Sequence, residues 1–205
     1  MRPLDIVSPK TVLFLDMLEV DSLHNAELVV NQAEKCSANP VLPLGDQEEW
    51  DLGYAMPWGG TILFDQEEQV FKLWCEGGTG KDKDTRIGYA WSEDGIYWHK
   101  PRLGLYEYKG SKDNNILFQS PTSRKVFDEL VNQVDHFVIA KDPKEPDSNK
   151  RYKGWTRNYH EPDDQTHYFP IYSPDGVHWN LGSEPVAYPI GDNANVIIDD
   201  DDPDP

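Results

Sequence analysis

The chain has 205 residues, with 37 acidic against 19 basic side chains, a formal charge of −18 and 38% hydrophobic content. Such a charge repels a phosphate backbone and an anionic bilayer surface alike, which speaks against nucleic acid and membrane as partners. No apolar run approaches the roughly 18 residues needed to span a bilayer, and no Lys/Arg cluster with interleaved aromatics marks a nucleic-acid face.

Residues 1–45 read as a lead-in. Thr11-Val12-Leu13-Phe14-Leu15 is stopped by Asp16 and followed by Glu19 and Asp21, so a strand is predicted there rather than the core of a signal peptide. The chain is therefore expected to be soluble, with export left to a leader outside this sequence. Ser37-Ala38-Asn39-Pro40 is turn-rich. Cys36 and Cys75 are too few for a disulfide framework and lack metal-ligand spacing, so both are predicted to be free thiols.

Residues 46–122 carry the first strand set. Gly60 to Asp65 is β-rich, Gln66 to Gln69 is a polar turn, and Val70 to Cys75 alternates with period two. Arg86 to Trp91 makes a third strand, and the Asp94-Gly95 turn leads to a predicted fourth, Ile96-Tyr97-Trp98. Residues 123–190 begin with a predicted amphipathic helix within Ser123 to Asp135, because Phe127, Leu130, Val131 and Val134 fall at i, i+3, i+4 and i+7, with Ser123 as its cap. A second strand set follows: Phe137 to Ala140, Arg151 to Arg157, His167 to Ser173 and Val177 to Trp179. Residues 191–205 repeat the opening of that set, since Val196-Ile197-Ile198 and its Asp-Pro turn resemble Val138-Ile139-Ala140 and its own, and read as the start of a truncated third unit.

The two sets share a phrase. Ser92-Glu93-Asp94-Gly95-Ile96-Tyr97-Trp98 returns as Ser173-Pro174-Asp175-Gly176-Val177-His178-Trp179, a shift of 81 (173 − 92), and Phe71-Lys72-Leu73-Trp74 matches Tyr152-Lys153-Gly154-Trp155 at the same shift. A repeat of this length made of short strands and turns predicts β-propeller blades of four-stranded antiparallel sheets, an all-β fold. The Asp and Trp of each phrase are predicted to build the turn and pack between sheets.

Leu13-Phe14-Leu15-Asp16, Asn39-Pro40-Val41-Leu42, Glu49-Trp50-Asp51, Tyr89 to Trp98, Lys100-Pro101-Arg102-Leu103-Gly104 and Asp113-Asn114-Asn115-Ile116 together resemble the five-bladed β-propeller proteins related to glycoside hydrolase families 32 and 43. The resemblance implies an N-terminal portion of such a propeller, inactive alone, whose full-length form acts on glycosidic bonds through paired carboxylates. The alternative is a non-catalytic carbohydrate-binding or scaffold propeller. Missing are the Trp-Met-Asn-Asp-Pro-Asn-Gly and Arg-Asp-Pro phrases of sucrose-type enzymes.

The family pattern implies one acidic group from each of the first three blades, which by position are Asp51, Asp135 and Asp192 as catalytic candidates. Each is also a natural turn or cap residue. Trp50, His136, Arg157, His160 and Glu161 are the candidates for binding a sugar, as hydrogen-bonding or stacking groups. No zinc-like histidine spacing, nucleophile motif, phosphate loop or dinucleotide fingerprint appears, so no metal or cofactor is expected.

Overall fold

The computed structural model describes residues 20–80, 84–120, 124–126, 129–131, 134–160, 162, 165–186 and 195–198, with positions 58, 59, 124–126, 129–131, 135 and 160 described by their backbone alone. The predicted strand at Thr11 to Leu15 lies outside these residues. The chain divides into two compact units, 1–37 and 38–205. In the first, the described residues 20–37 contain neither strand nor helix.

Among the described residues the second unit is all-β and antiparallel, with a short 3-10 turn at Ser148–Lys150. Its strands are β1 (Tyr54–Asp65), β2 (Val70–Gly78), β3 (Arg86–Ser92), β4 (Ile116–Gln119), β5 (Arg124–Val126), β6 (Glu129–Val131), β7 (Val134–Lys141), β8 (Tyr152–His160), β9 (Gln165–Ser173) and β10 (Asn180–Leu181). One sheet runs β1-β2-β3-β4, a second runs β7-β8-β9-β10, and β5 pairs with β6 as a separate hairpin.

The two large sheets share a register. Seven successive pairs from Phe71↔Ser92 to Gly77↔Arg86 recur, 81 residues on (152 − 71), as Tyr152↔Ser173 to Asn158↔His167. The first strands are offset by 77 (141 − 64), because Phe64↔Phe71 answers to Lys141↔Tyr152 across a longer turn. Both first strands also break register near their start, β1 between Met56 and Thr61 and β7 between Asp135 and Phe137, where His136 takes a φ of 53°. Such bulges bend a strand and re-aim its side chains.

Two expectations are corrected. Ile96 to Trp98 and Val177 to Trp179 are turns rather than fourth strands; the edge pairing begins after each tryptophan, at Trp91↔His99 and Asn180↔Tyr172. Local side chains take the amides that a strand would need. Asp94 Oδ1 accepts from the N–H groups of Ile96 and Tyr97 at 2.8 Å each, and Asp175 Oδ1 accepts from Val177 and His178 at the same distances. Gly95 and Gly176 adopt φ of 73° and 80°, which turns the chain so that each indole donates back to that glycine's carbonyl.

The helix predicted within Ser123 to Asp135 is replaced by the β5–β6 hairpin and the start of β7, with Val126 opposite Glu129. Val126, Val131 and Val134 are β-branched and favour a pleat, and a short apolar run fits either period until a pairing partner decides. Ser123, the proposed cap, lies outside the described residues.

The main core lies between the sheets. Trp74, Ile87, Tyr89, Leu117 and Phe118 of the first pack with Val134, Phe137, Ile139, Tyr152 and Ile171 of the second. At one end a fully buried Asp65 joins the sheets: Lys141 Nζ lies 2.6 Å and Lys72 Nζ 3.1 Å from its carboxylate, and the Tyr152 hydroxyl donates to it. Burial by itself would raise this carboxyl, but hydrogen bonds from Lys141, Tyr152 and Lys72 outweigh it and hold Asp65 well below the usual carboxylate range. Burial and the bond to Asp65 push the Tyr152 hydroxyl far above its ordinary value. On the other face of the first sheet, Leu73, Cys75 and Ala90 form a smaller cluster against Leu42 and Trp98.

Candidate functional site

β1 and β7 lie side by side because Thr61 stitches them. Its hydroxyl donates to the Phe137 carbonyl at 3.3 Å and accepts from the Ile139 N–H at 2.9 Å. A cleft of about 410 Å³ runs along this seam, lined by Gly60–Phe64, Val138–Lys141, Asn195 and Val196. The first strands of both sheets and the segment after the second sheet thus border one space.

Asp51 and Trp50 enter the structure just before β1 and are built into the first sheet. Trp50 is 1% exposed. Its ring fills the space above Gly77 and Gly88, where any side chain would collide with it, and its Nε1 donates to Asn115 Oδ1 at 2.8 Å. Asn115 in turn donates to the Tyr89 carbonyl at 2.9 Å. The Asp51 side chain is 3% exposed, and its Oδ2 accepts from Lys100 Nζ at 2.6 Å, while the same ammonium donates to the Pro43 carbonyl at 2.8 Å. An ammonium at this distance satisfies the charge that a catalytic carboxylate would use.

Asp135 is placed differently. It sits on β7 opposite Arg157 of β8, one position before the His136 bulge. His136 is buried, with its ring edge-on to Tyr168 at 6.3 Å between centroids, and Arg157 Nε donates to Thr166 Oγ1 at 3.3 Å. The backbone therefore brings Asp135, His136 and Arg157 to adjacent positions on two neighbouring strands. His160 closes β8 opposite Gln165. Glu161 and Asp192 lie outside the described residues.

Buried polar groups that sequence reasoning missed surround this end of the sheets. Asn158, paired with Val134 in register, accepts from Ser120 Oγ at 2.6 Å and from the Tyr159 N–H at 2.9 Å. Thr85 Oγ1 donates to the Val134 carbonyl at 2.7 Å and accepts from its N–H at 2.8 Å, joining the sheets a second time. His167 and Glu76 are buried nearby on β9 and β2. The available signal was Asn158 continuing the alternation of Tyr152, Gly154 and Thr156 with a polar group where an apolar one is expected.

In register, Asp135 stands opposite Arg157 and Asn158 opposite Val134 at the start of β7. Glycoside cleavage would need a second carboxyl roughly 5 to 9.5 Å from the first. Asp51 carries its carboxylate within an ion pair to Lys100. Among the described residues no group of three His, Cys, Asp or Glu side chains could hold a metal ion, and no helix is long and apolar enough to cross a membrane.

No protein-family profile matches the chain, and no curated protein does. Among solved structures it is similar to an N-acetylgalactosamine deacetylase from F. plautii, crystallised with blood group B trisaccharide, at 18% identity and a TM-score of 0.40 over 63% of this chain. It is also similar to a protein provisionally assigned as a glycosidase from Bacteroides thetaiotaomicron VPI-5482, at 17% identity and a TM-score of 0.38 over 73% of this chain. The aligned region spans only 30% and 39% of those two chains.

Proposed function

We propose that the chain supplies the first two blades of a five-bladed, carbohydrate-recognising propeller, with the sugar met at the end of the sheets where β7 and β8 carry Asp135, His136 and Arg157. The observation that carries this reading is the pairing of Asp135 with Arg157 beside the His136 bulge. A carboxylate and a guanidinium on facing positions suit the acceptor and donor pattern of sugar hydroxyls. The Thr61 stitch and the cleft shared by β1, β7 and Asn195–Val196 support inner strands gathered about one axis.

Within this reading a glycoside hydrolase uses Asp135 with a second carboxylate, Asp192 or a released Asp51, one as acid and the other as base or nucleophile. A binding module without hydrolysis is favoured by one specific observation, the burial of Asp51 against Lys100.

The test is calorimetric titration of the chain with a panel of oligosaccharides, paired with reducing-end release by the complete five-bladed propeller on every glycan bound. Binding that weakens at least about tenfold in Arg157→Ala supports the site, since losing a charge-assisted hydrogen bond costs on that order. Release abolished by Asp135→Asn supports the hydrolase; binding without release supports the module. Failure to bind any glycan overturns both.

A further inference from the structure

Three stretches far apart in the chain meet at a cleft of about 400 Å³: residues 48–50 ahead of β1, residues 100–102 and residues 108–115. The last two belong to the long connection from β3 to β4, the edge strand of the first sheet. One wall is fixed by the bond from Trp50 to Asn115 and by Asn114, whose Nδ2 donates to the carbonyls of Tyr106 and Ser111 at 3.0 and 3.2 Å. Asn114 Oδ1 also accepts from the Ile116 N–H at 3.0 Å. Tyr108 is set by a two-residue turn in which Lys109 and Gly110 take φ of 49° and 81°, while Tyr108 and Ser111 exchange backbone hydrogen bonds of 2.8 and 3.0 Å. The Arg86 guanidinium lies 5.1 Å from the centre of its ring.

The fold uses the polar groups around this wall only in part. An ammonium has three donors, and Lys100 gives two of them, to Asp51 Oδ2 and the Pro43 carbonyl. Arg102 reaches Asp113 Oδ2 at 2.8 Å through Nη1 alone, which leaves most of its fork unused. Glu49 accepts from the Asp46 N–H through Oε2 at 2.8 Å. Among the described residues Glu49 Oε1, Asp113 Oδ1 and the Tyr108 hydroxyl have no partner. The cleft thus combines donors on Lys100 and Arg102 with acceptors on Glu49 and Asp113, and Tyr108 can act as either. Charge is balanced here, since Glu48 is answered by Lys109 at 3.1 Å. A phosphate would meet the carboxylates and a polyamine the cations. A neutral ligand rich in hydroxyls uses both sets, because each hydroxyl donates to one and accepts from the other. The volume falls within the roughly 300–1,000 Å³ of small-molecule sites.

We propose that this cleft is a second sugar-binding site, for an uncharged mono- or disaccharide, distinct from the end of β7 and β8. The inference rests on the carbohydrate reading above for its class of ligand, and the two sites share no residue. Lys100 and Arg102 donate to sugar oxygens, Glu49 and Asp113 accept from sugar hydroxyls, and the Asn114 and Asn115 wall holds these groups in place without itself needing to move.

Saturation-transfer NMR tests the proposal with methyl glycosides of glucose, galactose, mannose and xylose, with lactose and cellobiose, and with galacturonate and glucosamine as charged counterparts. The Arg157→Ala chain, whose first site is disabled, is expected to bind at least one neutral sugar and to bind the charged ones more weakly. Adding Arg102→Ala weakens that binding about tenfold or more, as loss of a charge-assisted hydrogen bond does. Arg102 is 78% exposed, so its truncation leaves the fold intact, which circular dichroism melts check. Should Arg157→Ala not fold, the amide shifts of Ser111 and Asn114 in the unaltered chain decide, since they move as the sugar is added or the inference fails. Binding by the unaltered chain that Arg157→Ala abolishes overturns the second site and keeps the first. Binding that Arg157→Ala leaves and Arg102→Ala removes upholds the second site and tells against the first. Binding indifferent to Arg102→Ala, a preference for a charged sugar, or no binding at all also overturns the second site.

Discussion

The indole nitrogen of Trp74 lies 2.7 Å from the carbonyl oxygen of Gly176, a residue 102 positions further along the chain and on the other sheet. This one bond ties β2 of the first sheet to the Asp175-Gly176 turn of the second. Trp74→Phe is expected to cost roughly 2 kcal/mol, from a lost buried hydrogen bond and a partly collapsed space. Gly176→Ala is expected to cost about 2–3 kcal/mol, since it forces a side chain into φ 80° and into the Trp74 ring. Gly104→Ala and Gly110→Ala also sit at positive φ but meet no atom within 4 Å, and should cost only about 1 kcal/mol. Denaturant melts of the four variants check the order.

Acid and alkali should both loosen the Asp65 cluster. The folded carboxyl of Asp65 is held below its unfolded value, so its contribution is complete above about pH 5 and is lost as pH falls toward the folded value. Asp175 acts in the same direction. Burial there is outweighed by hydrogen bonds from the His178 N–H and ring and from the Val177 N–H, which bring it to about 2. Tyr152 is shifted upward, so its contribution is complete below its unfolded value near pH 10 and is lost above it. Asp65→Asn should flatten the acid limb and cost about 3 kcal/mol at neutral pH, because two lysines then face no buried carboxylate. Stability measured by chemical denaturation across pH reads both effects.

The two thiols should differ in reactivity. Cys36 is exposed, whereas Cys75 is buried with its Sγ 3.8 Å from the Gly88 carbonyl. Burial, and then the negative charge of Asp51, push the Cys75 thiol up to about 12, so almost no thiolate forms at neutral pH. A chromogenic disulfide reagent should titrate one thiol at once in the native chain and the second only in denaturant. Two fast thiols in the native chain would contradict the placement of Cys75.

Asp51 separates structural from catalytic roles. Because its carboxylate is bound to Lys100, which also holds the Pro43 carbonyl, Asp51→Asn and Lys100→Met should each lower stability by roughly 2–4 kcal/mol. The double variant should cost less than the sum, a coupling that a thermodynamic cycle measures directly. If glycan binding by the folded Asp51→Asn chain is unchanged, Asp51 belongs to the scaffold.

The sequence by itself determined the three leading strands of each large sheet and the Asp-Gly turns that follow them. Alternation in Val70 to Cys75, the Asp-Gly turns and the shift of 81 are local or periodic properties, and they appear as β2, as paired Asp-capped turns and as one register in two sheets. Tertiary structure decided what alternation leaves open. Phe127, Leu130, Val131 and Val134 fit a helical period as well as a pleat, and pairing of Arg124–Val126 with Glu129–Val131 settled the backbone. Asp51 and Asp135 look alike as acidic residues ahead of strands, yet Lys100, 49 positions away, captures the first, while β8 sets Arg157 opposite the second. Burial and ion pairing depend on which distant residues the fold brings within a few ångströms, and a single sequence does not list those neighbours.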